Sequence, residues 1–328
     1  MKKILIVTDN LPEQINGVVT TYKNIEACAI LDGYNVVYLN PRWFCYFDCP
    51  RYNELKISIP WKIGEAIEEI SADHIHIATE GPIGLCARQY LDKRGIRYNT
   101  AYHTKLPEGI NKLFGIPENI VWPLVRWFHK HSGKVLTTTE TMVKDLKQHD
   151  FDGEIIPWTR GVDRNIFNPW QRQNNNNKNM VCVSRVSKEK NLEDFFKLDY
   201  AGYQKIMVGD GPMLETYKKT YPDVMFVGYK TGHDLAKYYA NADVFVFPSK
   251  WETFGLVMIE SMACGTPVAA FDCDGPRDVI DTGITGYYEN NLNDAIQKAL
   301  KIDRNNVYEG SFRWSWDNAW KIFKQNLI

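Results

Sequence analysis

The sequence predicts an α/β fold in which two doubly wound, Rossmann-like domains follow one another. Three observations predict it. Short runs rich in Val and Ile alternate with amphipathic stretches of helical length from end to end, the pattern of βαβ units on a parallel sheet. A polar tract breaks that alternation once, near the middle. At 328 residues the chain also exceeds the size at which one hydrophobic core keeps growing, so two cores are expected.

The first strand is the run Ile4-Leu5-Ile6-Val7. It closes at Thr8-Asp9-Asn10, too soon for the apolar centre of a signal peptide and at the right length for a buried strand. Further strands are expected at 36–39, 74–78, 97–102 and 135–139, with helices at 18–31, 61–70 and 83–93 between them. After Asn168-Pro169 the tract through Asn179 is almost wholly polar and has nothing to bury. The alternation then restarts, with strands at 180–186, 204–208, 224–227, 244–248 and 268–271. Helices are expected at 191–198, 213–221, 234–241, 255–264 and 292–301. Segment 314–327 sets Trp316, Ala319, Trp320 and Phe323 at helical spacing, a helix with an aromatic stripe to bury. The expected organisation is a domain over 1–168, a linker over 169–179, a second domain over 180–310 and a terminal helix over 311–328. That helix packs either on the second domain or back toward the first. No short-period repeat is present, which argues against a solenoid.

Charge and composition exclude some functions. With 39 Lys and Arg against 40 Asp and Glu the formal net charge is −1, so no nucleic-acid partner is expected. The seven cysteines, at 28, 45, 49, 86, 182, 264 and 273, are odd in number and dispersed. They read as reduced thiols of a cytoplasmic protein rather than a disulfide framework. No run approaches the roughly 18–20 apolar residues that span a bilayer. The basic, aromatic stretch 122–134 fits either a packed amphipathic helix or peripheral contact with the anionic inner face of a membrane.

The segment richest in chemistry is 244–268. A buried strand ends at Pro248-Ser249, a polar turn follows, and a helix opens near Gly255 and closes at Gly265. Backbone N–H groups of Thr253, Phe254, Gly255 and Leu256 lie at a helix N-terminus, where the dipole favours an anion such as a diphosphate. Glu252 and Glu260 flank that position and suit sugar hydroxyls rather than phosphates, since like charges repel. Glu252 alone also fits a capping residue; Glu260 falls in an apolar run, where an unpartnered carboxylate is costly. Arg185 ends a strand and Lys190 follows five residues later. Two such cations can neutralise a pyrophosphate leaving group without a metal, although the loop taken alone also fits a solvated basic turn. Gly209 and Gly211, in Gly209-Asp210-Gly211-Pro212, allow close backbone approach to a ligand or simply form a tight turn. Gly17 opens the helix after the first strand. His103 follows a strand of the first domain, at the carboxyl end where ligands bind; a lone His is also compatible with a packing role. His74 and His76 share a strand face and are read as packing.

Taken in order, these segments resemble the retaining glycosyltransferases of family 4, which have the GT-B fold, two Rossmann-like domains facing each other across a cleft. The resemblance spans nearly the whole chain. It is carried by Asn16-Gly17-Val18, Ala78-Thr79-Glu80-Gly81-Pro82, Tyr102-His103-Thr104, Arg160-Gly161-Val162-Asp163, Ser184-Arg185-Val186, Lys190-Asn191 and Gly209-Asp210-Gly211-Pro212. The spacing of Glu252 and Glu260 within Glu252-Thr253-Phe254-Gly255-Leu256 is its most specific part. It implies an acceptor-side first domain and a second domain that binds a nucleotide diphosphate sugar. Arg185 and Lys190 would hold the diphosphate with the backbone of Phe254, Gly255 and Leu256, Glu252 the transferred sugar, and Glu260 the ribose. Gly17 would leave room for the phosphates, and His103 would contact the sugar near the reacting carbon. The sugar would keep its anomeric configuration by front-face attack, with no cofactor and no metal. The branch resembled makes glycolipids, which points to GDP-mannose or a UDP-hexose as donor and a lipid or glycan acceptor. Other readings are a non-catalytic nucleotide-sugar-binding protein of this fold and a transferase with a soluble sugar or sugar-phosphate acceptor. A nicotinamide oxidoreductase is disfavoured because the glycine fingerprint Gly-x-Gly-x-x-Gly is missing.

Overall fold

Six consecutive residues, four of them fully buried aliphatics, make Lys2–Val7 the central strand β1 of the first half. The computed structural model describes residues 1–49, 52–173 and 178–328. Asn174 to Asn177 of the polar tract, and Pro50 and Arg51, lie outside the described residues. The chain divides into two units, Met1–Arg160 with Trp316–Ile328, and Gly161–Ser315. The division falls at Arg160/Gly161 rather than within the polar tract. The reason is packing: Val162 and Phe167 are buried in the core of the second unit, and Asn168 donates to the carbonyls of Arg164 and Asn165.

In unit 1, β1 is followed by α1 (Gly17–Leu31), β2 (Tyr34–Leu39), β3 (Cys45–Cys49), β4 (Tyr52–Ile59), α2 (Ile63–Ile70), β5 (His74–Ile77) and α3 (Pro82–Arg94). Next come β6 (Asn99–Tyr102), α4 (Leu106–Phe114), α5 (Glu118–His129), β7 (Val135–Thr137), α6 (Glu140–Gln148) and β8 (Ile155–Pro157). The main sheet runs β2-β1-β5-β6-β7-β8 with every pairing parallel. Its order reverses between β1 and β5, the switch point where doubly wound folds place ligands. β3 and β4 form a separate antiparallel pair.

Helix α3 shows how the Thr79–Pro82 turn is specified. The Asp9 carboxylate, at the end of β1, accepts from the Thr79 hydroxyl at 2.7 Å and from the Ile83 N–H at 2.8 Å, capping the helix across the switch point. A Cβ on Gly84 would sit 1.9 Å from the Thr79 carbonyl oxygen, so the helix meets the strand end at a distance only glycine permits. The motif residues at 79–84 thus serve helix placement, through a partner that is 70 residues away in sequence.

The last helix, α14 (Trp316–Gln325), completes this unit. Ala319, Trp320 and Phe323 are buried with Ile4, Ile6, Tyr22 and Trp158. The Trp158 indole donates to the Ala319 carbonyl at 2.9 Å, and the Trp320 indole to Asp32 at 2.9 Å. The aromatic stripe therefore packs on the first sheet rather than on the second.

Unit 2 consists of β9 (Lys178–Val183), α7 (Leu192–Phe196), β10 (Tyr203–Val208), α8 (Leu214–Thr220), β11 (Val224–Gly228), α9 (Gly232–Ala240), β12 (Val244–Phe247) and α10 (Leu256–Ala263). It continues with β13 (Val268–Phe271), α11 (Asp274–Val279), β14 (Gly286–Glu289), α12 (Leu292–Ala299) and α13 (Arg304–Gly310). The sheet order is β11-β10-β9-β12-β13-β14. All pairings are parallel, and the switch point lies between β9 and β12. Two buried layers cover the sheet, one around Tyr239, Met258 and Met262, the other around Phe195, Phe196 and Ile296. Among the described residues no helix is long and apolar enough to cross a membrane.

Candidate functional site

The two loops that the sequence singles out in the second half leave adjacent strands. Arg185 and Lys190 follow β9, Glu252 follows β12, and β9 pairs with β12 through Met180–Val244 and Val181–Phe245. They meet at the switch point of unit 2. Lys190 Nζ lies 3.2 Å from Glu252 Oε2, tying the two loops together with both side chains about three-quarters shielded. The other Glu252 oxygen accepts from the Thr253 N–H at 3.2 Å. Arg185 is exposed and its guanidinium stands 3.8 Å from Glu189, a distance at which a solvent-screened pair holds weakly. Its side chain is the more exposed of the two cations.

Gly255 adopts φ +84° and stands immediately before α10, which has no side-chain cap. The first-turn N–H groups of an uncapped helix favour an anion. A Cβ on Gly255 would approach Met258 Cε at 2.8 Å, so both backbone sign and space favour glycine. Phe254 is buried and meets Trp314 edge-on at 5.2 Å. Its side chain belongs to the core, and only its backbone can serve a ligand. Leu256 likewise packs against the core.

Glu260 sits on α10 with its carboxylate accepting from the Tyr239 hydroxyl at 3.0 Å. Burial raises its pKa to about 7, partly opposed by the Tyr239 hydrogen bond. Tyr239 is a partner the sequence did not reveal, because it arrives from α9, 21 residues upstream.

The glycines after β10 let two loops approach closely. A Cβ on Gly209 (φ +145°) would lie 1.9 Å from the Ser184 carbonyl oxygen, and one on Gly211 would lie 2.5 Å from that of Val186. The close approach they allow is to the Arg185 loop and not to open space. Val186 N–H donates to Asp210 O at 2.8 Å and Met213 N–H to Val186 O at 3.0 Å, so the two loops form one backbone-bonded shelf under Arg185. We expect Gly209→Ala to destabilise the second unit by about 2–4 kcal/mol, because backbone must move to admit the methyl group. Urea unfolding checks this, and a variant within 0.5 kcal/mol of the parent, an ordinary surface effect, would contradict it.

In unit 1, Gly17 is exposed at the first position of α1, where Asn16 caps the helix by accepting from Val19 N–H at 2.9 Å. His103 is placed at the carboxyl end of β6 but is buried. Its Nε2 bonds the Tyr22 hydroxyl at 2.9 Å and its Nδ1 bonds Arg160 at 3.0 Å. Burial and the neighbouring guanidinium hold its pKa well below the usual histidine range. In this state neither ring nitrogen is open to a sugar hydroxyl, so contact requires one bond to be exchanged. His76 is also buried and is pushed down to about 3 by burial. His74 bonds the Ile328 carbonyl at 2.9 Å. Among the described residues no group of three His, Cys, Asp or Glu side chains is arranged to hold a metal ion.

Comparison with known proteins identifies the family. The model of "Glycosyltransferase Family 4" matches residues 23–166, and that of "Glycosyl transferases group 1" matches residues 163–309. A GDP-mannose-dependent alpha-mannosyltransferase of Mycobacterium tuberculosis is 29% identical, over 85% of this chain and 78% of its own. The alpha-monoglucosyldiacylglycerol synthase of Streptococcus pneumoniae is 26% identical, over 91% of this chain and 78% of its own. Across four such relatives the chain covers between 54% and 78% of the relative's length. Among solved structures, a sucrose-phosphate synthase from Thermosynechococcus elongatus superposes with a TM-score of 0.81 at 18% identity, covering 99% of this chain and 98% of the other. From residue 23 to residue 309 the sequence is accounted for by glycosyltransferase models, and the chain belongs to the family 4 glycosyltransferases, with the GT-B fold.

Proposed function

We propose that this glycosyltransferase moves a hexose from GDP-mannose or a UDP-hexose to a lipid or glycolipid hydroxyl, with retention of anomeric configuration and without a metal. The observation that carries the donor half is the switch point of unit 2. There Arg185 and Lys190 converge with Glu252 and the uncapped start of α10, a set suited to a diphosphate bearing a sugar. In the proposed reaction the bond from the anomeric carbon to the diphosphate oxygen breaks, and negative charge gathers on the departing group. Arg185, Lys190 and the N–H groups at Gly255 and Leu256 stabilise that charge, the kind of contribution that is often the largest in catalysis. Glu252 orients the transferred sugar, Glu260 the ribose, and His103 the sugar near its reacting carbon. The acceptor hydroxyl forms the new bond on the face the diphosphate leaves, and its proton passes to the departing phosphate. The names of the mycobacterial and pneumococcal relatives support a mannose or glucose donor and a lipid acceptor. Peripheral contact with an anionic membrane belongs to the same proposal.

A thermal-shift screen against UDP, GDP, ADP and their common sugars tests the donor. Stabilisation by one nucleotide series is expected, and no response to any of them would sink the reading in favour of a different ligand. Transfer in EDTA tests the metal-free claim: full activity is expected, and a loss restored by magnesium or manganese would overturn it. Proton NMR of the product's anomeric signal distinguishes retention from inversion. A soluble acceptor in place of a lipid would be indicated by transfer to free sugars with no gain on adding vesicles.

A further inference from the structure

Arg160 is the least economical residue of unit 1. Its side chain is buried, and among the described residues it pairs with no carboxylate. Burial brings its pKa down only to about 10, so it stays charged at neutral pH. Its Nη1 donates to the carbonyls of Trp158 at 2.7 Å and Thr159 at 3.1 Å, and the guanidinium lies 4.5 Å from the Trp158 ring centroid. Its Nη2 faces His103 Nδ1 at 3.0 Å. An unpaired buried cation is costly, and an apolar side chain of similar length would fill the same space more favourably.

The donor and acceptor inventory fixes the hydrogens along this line. A guanidinium only donates, so His103 Nδ1 must accept. The uncharged ring then carries its proton on Nε2 and donates it to the Tyr22 oxygen at 2.9 Å. The Tyr22 hydroxyl hydrogen is left for His76 Nε2, 2.7 Å away. Each bond in the line points the same way, away from Arg160. The far nitrogen, His76 Nδ1, is buried without a hydrogen-bond partner, so the line ends on an unsatisfied group rather than closing.

We propose that Arg160 is a positioning residue for glycosyl transfer, which fixes the His103 imidazole as its Nε2–H tautomer. This rests on the reading of His103 as the residue that meets the transferred sugar. Locked at Nδ1, the ring has one thing to offer, an Nε2–H that can leave the Tyr22 oxygen for a sugar hydroxyl, while Tyr22 keeps His76. A protonated ring would set a positive charge beside an anomeric carbon that itself becomes positive as the diphosphate departs, and like charges there raise the barrier. Arg160, Tyr22 and His76 face His103, and the Trp158 ring lies beside it. Glu80 and Tyr38 act one step further out, on Tyr22.

The test uses the whole chain labelled with nitrogen-15 in its histidine rings. Long-range proton–nitrogen spectra of the parent are expected to show His103 protonated at Nε2 only, unchanged from pH 5.5 to 8.5. In Arg160→Met the ring is expected to titrate in that range or to populate both tautomers, and Arg160→Lys to restore the parent pattern in part. The pH–rate profile of Arg160→Met is expected to gain an acidic limb, on which turnover falls about tenfold per pH unit. Donor nucleotide affinity, read by calorimetry, is expected to stay within about twofold of the parent, an energy difference under half a kcal/mol. A parent ring protonated at Nδ1, or one that titrates near pH 6.5, overturns the proposal even if the methionine variant does not fold. Altered tautomers with an unaltered pH–rate profile overturn it by a different route, showing that His103 does not meet the sugar. Loss of nucleotide binding by the parent itself would instead strike the donor reading.

Discussion

Replacing Arg185 by alanine is expected to lower turnover by roughly 10²–10³-fold, the loss seen when one preorganised group that stabilises developing negative charge is removed. The donor Michaelis constant is expected to change by less than about tenfold, because the main interaction grows only as the diphosphate leaves. The surroundings of Arg185 support this split. The side chain is 40% exposed and its guanidinium stands 3.8 Å from Glu189, a solvent-screened pair that contributes little to the ground state. Lys190 differs, since its ion pair with Glu252 joins the loops after β9 and β12, and its removal is expected to disturb both donor affinity and turnover. Steady-state kinetics over a donor series read the two constants separately. An Arg185→Ala protein with normal turnover and a raised Michaelis constant would mean that Arg185 binds donor without assisting departure.

The second large effect is expected at Glu260, and it carries opposite signs for binding and stability. Glu260→Gln should weaken nucleotide binding by about 1–3 kcal/mol through lost charge-assisted hydrogen bonds to the ribose. In the parent, binding should strengthen as pH rises through about 7, where burial has placed the carboxyl pKa. For folding, the native carboxyl holds its proton more tightly than the unfolded one, whose ordinary value is 4.5. Between those values the native state binds more protons, so parent stability falls as pH rises through the window and the loss is complete above about 7. The glutamine variant escapes that loss and is expected to exceed the parent at pH 8 by on the order of 2 kcal/mol, with the gap closing toward pH 4.5. Calorimetry with free nucleotide and urea unfolding at pH 5 and pH 8 read the two signs. Equal nucleotide affinity in both proteins would remove Glu260 from the ribose site.

The parts of the fold legible in the sequence were those where composition and period agree. The aliphatic runs of β1, β9 and β12 are buried on both faces of a parallel sheet, and such strands appear as continuous apolar segments. The pair β3 and β4 escaped because Cys45, Tyr46, Phe47 and Asp48 are all exposed, so no alternation of polar and apolar faces exists to be read. The strands β8 and β14 escaped because neither is a run of aliphatics: β8 is Ile155-Ile156-Pro157 and β14 is Gly286-Tyr287-Tyr288-Glu289. The unit boundary was misplaced because polarity marks where burial is unneeded, and it does not tell to which core Val162 and Phe167 belong. In the site, Arg185, Lys190, Glu252 and Glu260 could be named because charges that interrupt apolar runs stand out. The groups that hold such side chains in place could not. Tyr239 reaches Glu260 from a neighbouring helix, Asp9 reaches the start of α3 from another strand end, and Tyr22 and Arg160 reach His103 from distant parts of the chain; the space filled by Ser184 beneath Gly209 exists only once two strand ends are side by side.

The path of the chain has a consequence for biogenesis. Because α14 fills the hollow around Tyr22 and Trp158, the earliest-synthesised sheet stays unfinished until the ribosome has made Phe323. Topologically, 161–315 is a guest inserted into a host, able to settle while its host still lacks a wall. A stalled or clipped product missing the last 13 residues of the 328 would then keep a sound guest and expose the host's aromatic interior to chaperones and proteases.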